Sequence, residues 1–81
     1  MDIRSIRLAR LKWLLKQHGG RNAALARAIG KAPAQVSQWL NGVRTINEES
    51  AREIETQAWL EPGLMDKPLD NMHRGKGDVT L

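Results

Sequence analysis

The chain has 81 residues and a net charge of +4, which is room for one small domain with a thin core, since such a chain buries only about 60% of its unfolded surface. With 41% hydrophobic and 27% charged residues it is too apolar for a disordered segment, and without cysteine it has neither a disulfide staple nor a cysteine-based metal site. Its apolar runs are far shorter than the roughly 20 residues of a membrane span, and its start lacks the apolar block of a signal peptide, so a cytoplasmic location is expected.

Residues 3–18 read as a first helix. Leu8, Leu11 and Leu15 recur at spacings of three and four with Ile3 and Leu14 at the edges, and Gly19 and Gly20 stop the pattern. Ile6, Ala9 and Trp13 have the same spacing on the opposite side, which marks them as a candidate dimer interface. Residues 22–29 form a second helix with Asn22 as its expected N-cap, Leu25, Ala28 and Ile29 facing inward, and Ala26 small enough to admit a neighbouring helix. Gly30 follows where the chain must turn through positive φ. Residues 33–41 form a third helix opened by Pro33 and closed by Gly42. Val36 and Leu40 are expected in the core and Trp39 at its margin. A fourth helix begins after Asn47, its expected N-cap, with Glu48 and Glu49 at the positive end of the helix dipole and Ala51, Ile54 and Ala58 inward. One last turn, opened by Pro62, fits residues 60–66. Residues 1–66 are therefore expected to form the domain, and residues 67–81 a polar tail or linker with a short strand over 78–81.

The charge is divided unevenly. Residues 1–46 carry +8 and residues 47–81 carry −4, so a polyanion would meet the first half. The third helix is polar there without being charged. At about 100° per residue, Ala34, Gln35, Gln38 and Asn41 fall opposite the core positions. Two short helices joined by a tight glycine turn cross steeply, so the second stands clear of the body and can enter a DNA major groove. Glutamine and asparagine each carry a donor and an acceptor, the pattern an adenine edge requires.

Asn22, Ala26, Gly30, Val36 and Trp39, followed by the stretch from Gln38 to Glu55, give the sequence its resemblance to the Cro/lambda-repressor-like helix-turn-helix family over residues 5–66. The resemblance implies an all-α domain of four to five helices that binds operator DNA as a homodimer. It implies base contacts by Pro33, Ala34, Gln35, Ser37, Gln38 and Asn41, with Pro33 near a thymine methyl. It implies phosphate contacts by Arg21, Asn22, Lys31 and Arg44. The sequence departs from the family at four places. Asn22 replaces a longer glutamine, Ala32 replaces a hydroxyl cap, Trp59 stands where a glycine is usual, and Leu64 stands where relatives place tryptophan. The last two changes read as mutually compensating within one packing cluster.

His18 and His73 are isolated, and no catalytic set, phosphate-cradling loop or metal-ligand spacing is present. No enzyme activity, metal, cofactor, small-molecule ligand or membrane partner is expected. The expected function is that of a prophage repressor or Cro-like regulator. Rival readings are an antitoxin controlling its own promoter, an interaction module on the same fold that uses Ile6, Ala9 and Trp13, and the N-terminal half of a longer repressor.

Overall fold

Asp2 turns its carboxylate back to the Arg4 amide at 3.3 Å and so opens α1, Ile3–Gln17. In the computed structural model, which describes residues 2–69, three more helices follow: α2 Asn22–Ile29, α3 Pro33–Leu40 and α4 Glu48–Gln57. A 3-10 turn at Leu64–Asp66 completes the chain order. Among the described residues there is no strand, and no helix is long and apolar enough to cross a membrane. The fold is all-helical, as the sequence predicts. The strand expected over 78–81 lies outside the described residues.

The centre is a single cluster to which every helix contributes, with Leu11 and Leu14 from α1, Leu25, Ala26 and Ile29 from α2, Val36 and Trp39 from α3, and Ala51 and Ile54 from α4. Ile46 and Met65 close it from the loops. Two expectations on α3 exchange places. Trp39 is in the core at 3% exposure, and Leu40 is half-buried. The larger side chain takes the deeper position, where its burial removes more apolar area from water.

The inward face of α1 differs from the leucine stripe. Ile6, Arg7, Arg10, Leu11 and Leu14 are buried, Leu8 and Leu15 only partly, and Ile3 is exposed. Arg7 and Arg10 lie near the middle of that arc, so the helix is rotated toward its own arginines. Arg7 donates to Asp66 in a two-pronged pair, Nε to Oδ1 at 2.7 Å and Nη2 to Oδ2 at 3.3 Å, and its Nη1 donates to the Ile46 carbonyl at 3.1 Å. Arg10 donates from Nε to the Lys67 carbonyl at 2.6 Å and lies 5.2 Å from the centre of the Trp13 ring. These bonds fasten α1 to the loop before α4 and to the chain around the 3-10 turn. Arg7 is a buried charge met by an acid, whereas Arg10 has one carbonyl and the Trp13 ring as partners.

The network continues through α4. Arg52 Nη2 lies 3.0 Å from Asp66 Oδ1 and donates to Glu55 Oε2 at 3.1 Å. Glu55 is 2% exposed and accepts the backbone amides of Gly63 and Met65, each at 2.9 Å. Those amides lead into the 3-10 turn, where no intrahelical acceptor is available. One carboxylate thus holds the last turn against α4.

Asp66 has a consequence for acid stability. The Arg7 hydrogen bond holds its carboxyl below the usual carboxylate range, burial opposes that, and the Arg52 bond adds to it. A carboxylate with a depressed folded pKa contributes stability that is present above its unfolded value, about 4, and lost as the pH falls through the folded value. Thermal unfolding should therefore show stability falling below about pH 4, and Asp66→Asn should flatten that acid limb while lowering stability at neutral pH.

Candidate nucleic-acid interface

The turn between α2 and α3 sets the geometry. Gly30 caps α2 in the left-handed region at φ +70°, and the Lys31 amide returns to the Ala26 carbonyl at 2.9 Å. A Cβ at Gly30 would sit 3.5 Å from the Gln57 side chain, ordinary contact, so the left-handed backbone is what demands glycine here. Ala26 is 1% exposed, which brings α2 and α3 close. The α3 helix starts at Pro33 after Ala32, and Ala32 makes no side-chain cap, as its replacement of a hydroxyl residue implies.

The six expected base-contacting residues form one outward face. Pro33, Ala34, Gln38 and Asn41 are exposed, and Gln35 and Ser37 are half-buried along its edges. Val36 and Trp39 occupy the opposite side in the core. Among the described residues, the side-chain amides of Gln35, Gln38 and Asn41 make no hydrogen bond. Their donors and acceptors are committed to nothing within the domain. The chain leaving α3 folds back on the same helix, with the Val43 and Arg44 amides reaching the Gln38 carbonyl at 2.9 and 3.3 Å. That return places Arg44, exposed, beside this outward face, where it shares a polar cleft with Gln35, Asn47 and Ser50.

The expected phosphate-contacting residues divide. Arg21 and Arg44 are exposed, and among the described residues neither side chain is paired. Lys31 is paired with Glu53 of α4, so its charge is already partly met. Asn22 differs from its expected role as a cap. Arg21 occupies the N-cap position, and Asn22 is the first helical residue. Its amide Nδ2 donates to Ser37 Oγ at 3.0 Å across to α3. The shorter side chain, one residue inside the helix, reaches the neighbouring helix in place of its own amides. One expected phosphate residue therefore orients one expected base residue.

The α1 stripe is also divided. Ile6 is 7% exposed and belongs to the domain's own interior, leaving Ala9 and Trp13 half-buried at the surface. Trp59 is 94% exposed with φ +60°, so it holds the left-handed turn after α4 that glycine holds in the family, and it packs on nothing. The compensating cluster expected between Trp59 and Leu64 does not form. Among the described residues, no group of three or more His, Asp or Glu side chains is placed to hold a metal ion. His73 lies outside them.

Three residues central to the architecture escape a reading by pattern: Arg7, Arg10 and Glu55. Glu55 left a usable signal, since it lies in phase with Ala51, Ile54 and Ala58 on the apolar side of α4.

Comparison with known proteins agrees with this geometry. The sequence model of a family described as helix-turn-helix matches residues 11–57, more than half of the chain. No curated protein matches the chain. A solved structure, the crystal structure of the Rep-Ant complex from a Salmonella temperate phage, superposes with a TM-score of 0.79 at 22% sequence identity. The match covers 86% of this chain and 42% of that chain, and it speaks for the fold alone.

Proposed function

Because the chain belongs to the Cro/C1-type helix-turn-helix family, whose members are DNA-binding transcription regulators, we propose that it is a sequence-specific repressor of the prophage or Cro-like kind. It binds a palindromic operator as a homodimer, each copy reading one half-site, with half-site centres about 34 Å apart on one face of the duplex. Repression follows from occupying the promoter and requires no chemistry. The protein works in the cytoplasm, and residues 1–66 carry the binding.

The observation supporting this reading is the uncommitted amide face of α3. A helix standing in the major groove must carry donors and acceptors that the protein has not already used, because a side chain paired at home would have to break that bond to read a base. Gln35 and Gln38 meet that condition and are assigned to base edges. Ala34 and Pro33 supply apolar contact, including to a thymine methyl. Ser37, held by Asn22, and Asn41 flank them. Arg21 and Arg44 take phosphates on either side of the groove, and Lys31 does so at the cost of its bond to Glu53.

Binding is expected to weaken steeply with salt, since each phosphate neutralised by Arg or Lys releases a counterion and contributes about −0.9 to the slope of log affinity against log salt. Mobility-shift titrations at several salt concentrations check this. A slope near zero, or no shift on any duplex, contradicts the reading.

A further inference from the structure

Along the exposed side of α1 runs a groove of about 260 Å³ that the DNA-reading face does not use. Ala9, Trp13 and Leu69 give it apolar walls, and Lys12 and Lys16 line it as well. The 3-10 turn just before Leu69 packs on α1 and α4, so this groove opens on the side of α1 next to that turn. Arg10 reinforces its positive character from beneath. Its guanidinium lies 5.2 Å from the Trp13 ring, and among the described residues its Nη1 and Nη2 have no hydrogen-bond partner.

We propose that this groove is a docking site for an acidic peptide segment of a partner protein, one that lays an apolar side chain on Trp13 between carboxylates held by Lys12 and Lys16. Charge complementarity selects this occupant. A second copy related by a two-fold axis brings the same patch against itself, lysine facing lysine. The chain's own residues 70–81 carry two acids and two bases, so they offer no net negative charge to match. An apolar floor with a basic rim suits an acidic strand or helix with one anchoring residue. Docking in this groove is independent of the proposed DNA reading, which uses α3.

The test uses the full chain labelled with nitrogen-15, whose three tryptophans, Trp13, Trp39 and Trp59, give separate indole signals. The probe is a blocked Glu-Glu-Leu-Glu-Glu-Leu peptide, with a Lys-Lys-Leu-Lys-Lys-Leu peptide as its counterpart. The acidic peptide should move the Trp13 signal saturably and leave Trp39 and Trp59 in place. Lys12→Glu with Lys16→Glu should weaken that binding about ten-fold or more and let the basic peptide bind instead. An unchanged Trp39 signal in that variant shows that the fold is intact, and Lys12→Ala provides a milder second variant with a smaller loss. A Trp13 signal unmoved by the acidic peptide, or moved equally by both peptides, overturns the proposal. So does movement caused by a DNA duplex, by raising the protein concentration, or by Asp70→Lys without peptide. Those results assign the groove to DNA, to a second copy or to the chain's own continuation.

Discussion

Replacing Glu55 with alanine is expected to remove about 2–4 kcal/mol of stability, chiefly because two backbone amides lose the carboxylate that accepts from them. A domain of this length holds about 4–12 kcal/mol in total, so the variant should sit near its unfolding threshold. The loss has two parts. Arg52 keeps Asp66 but loses Glu55 Oε2, its 3.1 Å acceptor. The Gly63 and Met65 amides, each bonded to Glu55 at 2.9 Å, are left without an acceptor, and the Met65 bond is buried. An unsatisfied buried donor costs about 1–3 kcal/mol by itself. Glu55→Gln should cost less, because one carbonyl oxygen can still accept from one amide. Urea unfolding followed by circular dichroism checks both, with the midpoint falling and the slope unchanged. An alanine variant within about 1 kcal/mol of the parent would mean that the last turn is not held by this carboxylate.

The second large effect concerns recognition. Gln38→Ala should cost about 1–3 kcal/mol on the preferred DNA site and almost nothing on random sequence, leaving the salt slope unchanged. Gln38 is exposed, central on the α3 face and bonded to nothing within the domain through its amide, so the substitution removes the proposed base contact without disturbing the fold. Arg44→Ala should behave in the opposite way. It should weaken every duplex by a similar factor and reduce the salt slope by about 1, because a phosphate contact carries no sequence information. The two variants form a paired diagnosis, and affinity titrations on preferred and scrambled duplexes at two salt concentrations separate them. Equal losses on both duplexes for Gln38→Ala would reassign it from reading bases to general attraction.

The helix-turn-helix was legible because its determinants are local. Gly30 must be glycine for its backbone, Pro33 suits a first helical turn, and Asn47 caps α4 by accepting the Ser50 amide at 2.8 Å. The polar arc of α3 follows from helical periodicity alone. What stayed hidden depends on partners distant in sequence. Arg7 and Arg10 look like surface residues until Asp66, Ile46 and Lys67 come round to meet them, and their presence on the buried arc turned the leucine stripe of α1 away from the true inward direction. Ile6 turns inward for the same reason. Asn22 sits one residue inside α2, and its bond to Ser37 depends on how closely two helices approach, which no local pattern records.

Trp59 teaches a related point. A glycine-like backbone at φ +60° with the largest side chain exposed is unfavourable locally, roughly 1–2 kcal/mol for the backbone alone. The fold tolerates it because the Leu60 amide still closes the end of α4 on the Glu55 carbonyl at 2.8 Å. The departure from the family at this position changes a surface and leaves the turn intact.

Operator recognition as proposed requires α3 to present free amides to a major groove. Selection of bound duplexes from a random DNA pool, at stated salt, with the parent chain and with Gln38→Ala, tests that most directly. The parent should enrich two inverted half-sites with centres about one helical turn apart, and the variant should lose preference at one base pair in each half-site while keeping the spacing. A parent pool that stays random, or a variant pool identical to the parent's, would contradict it.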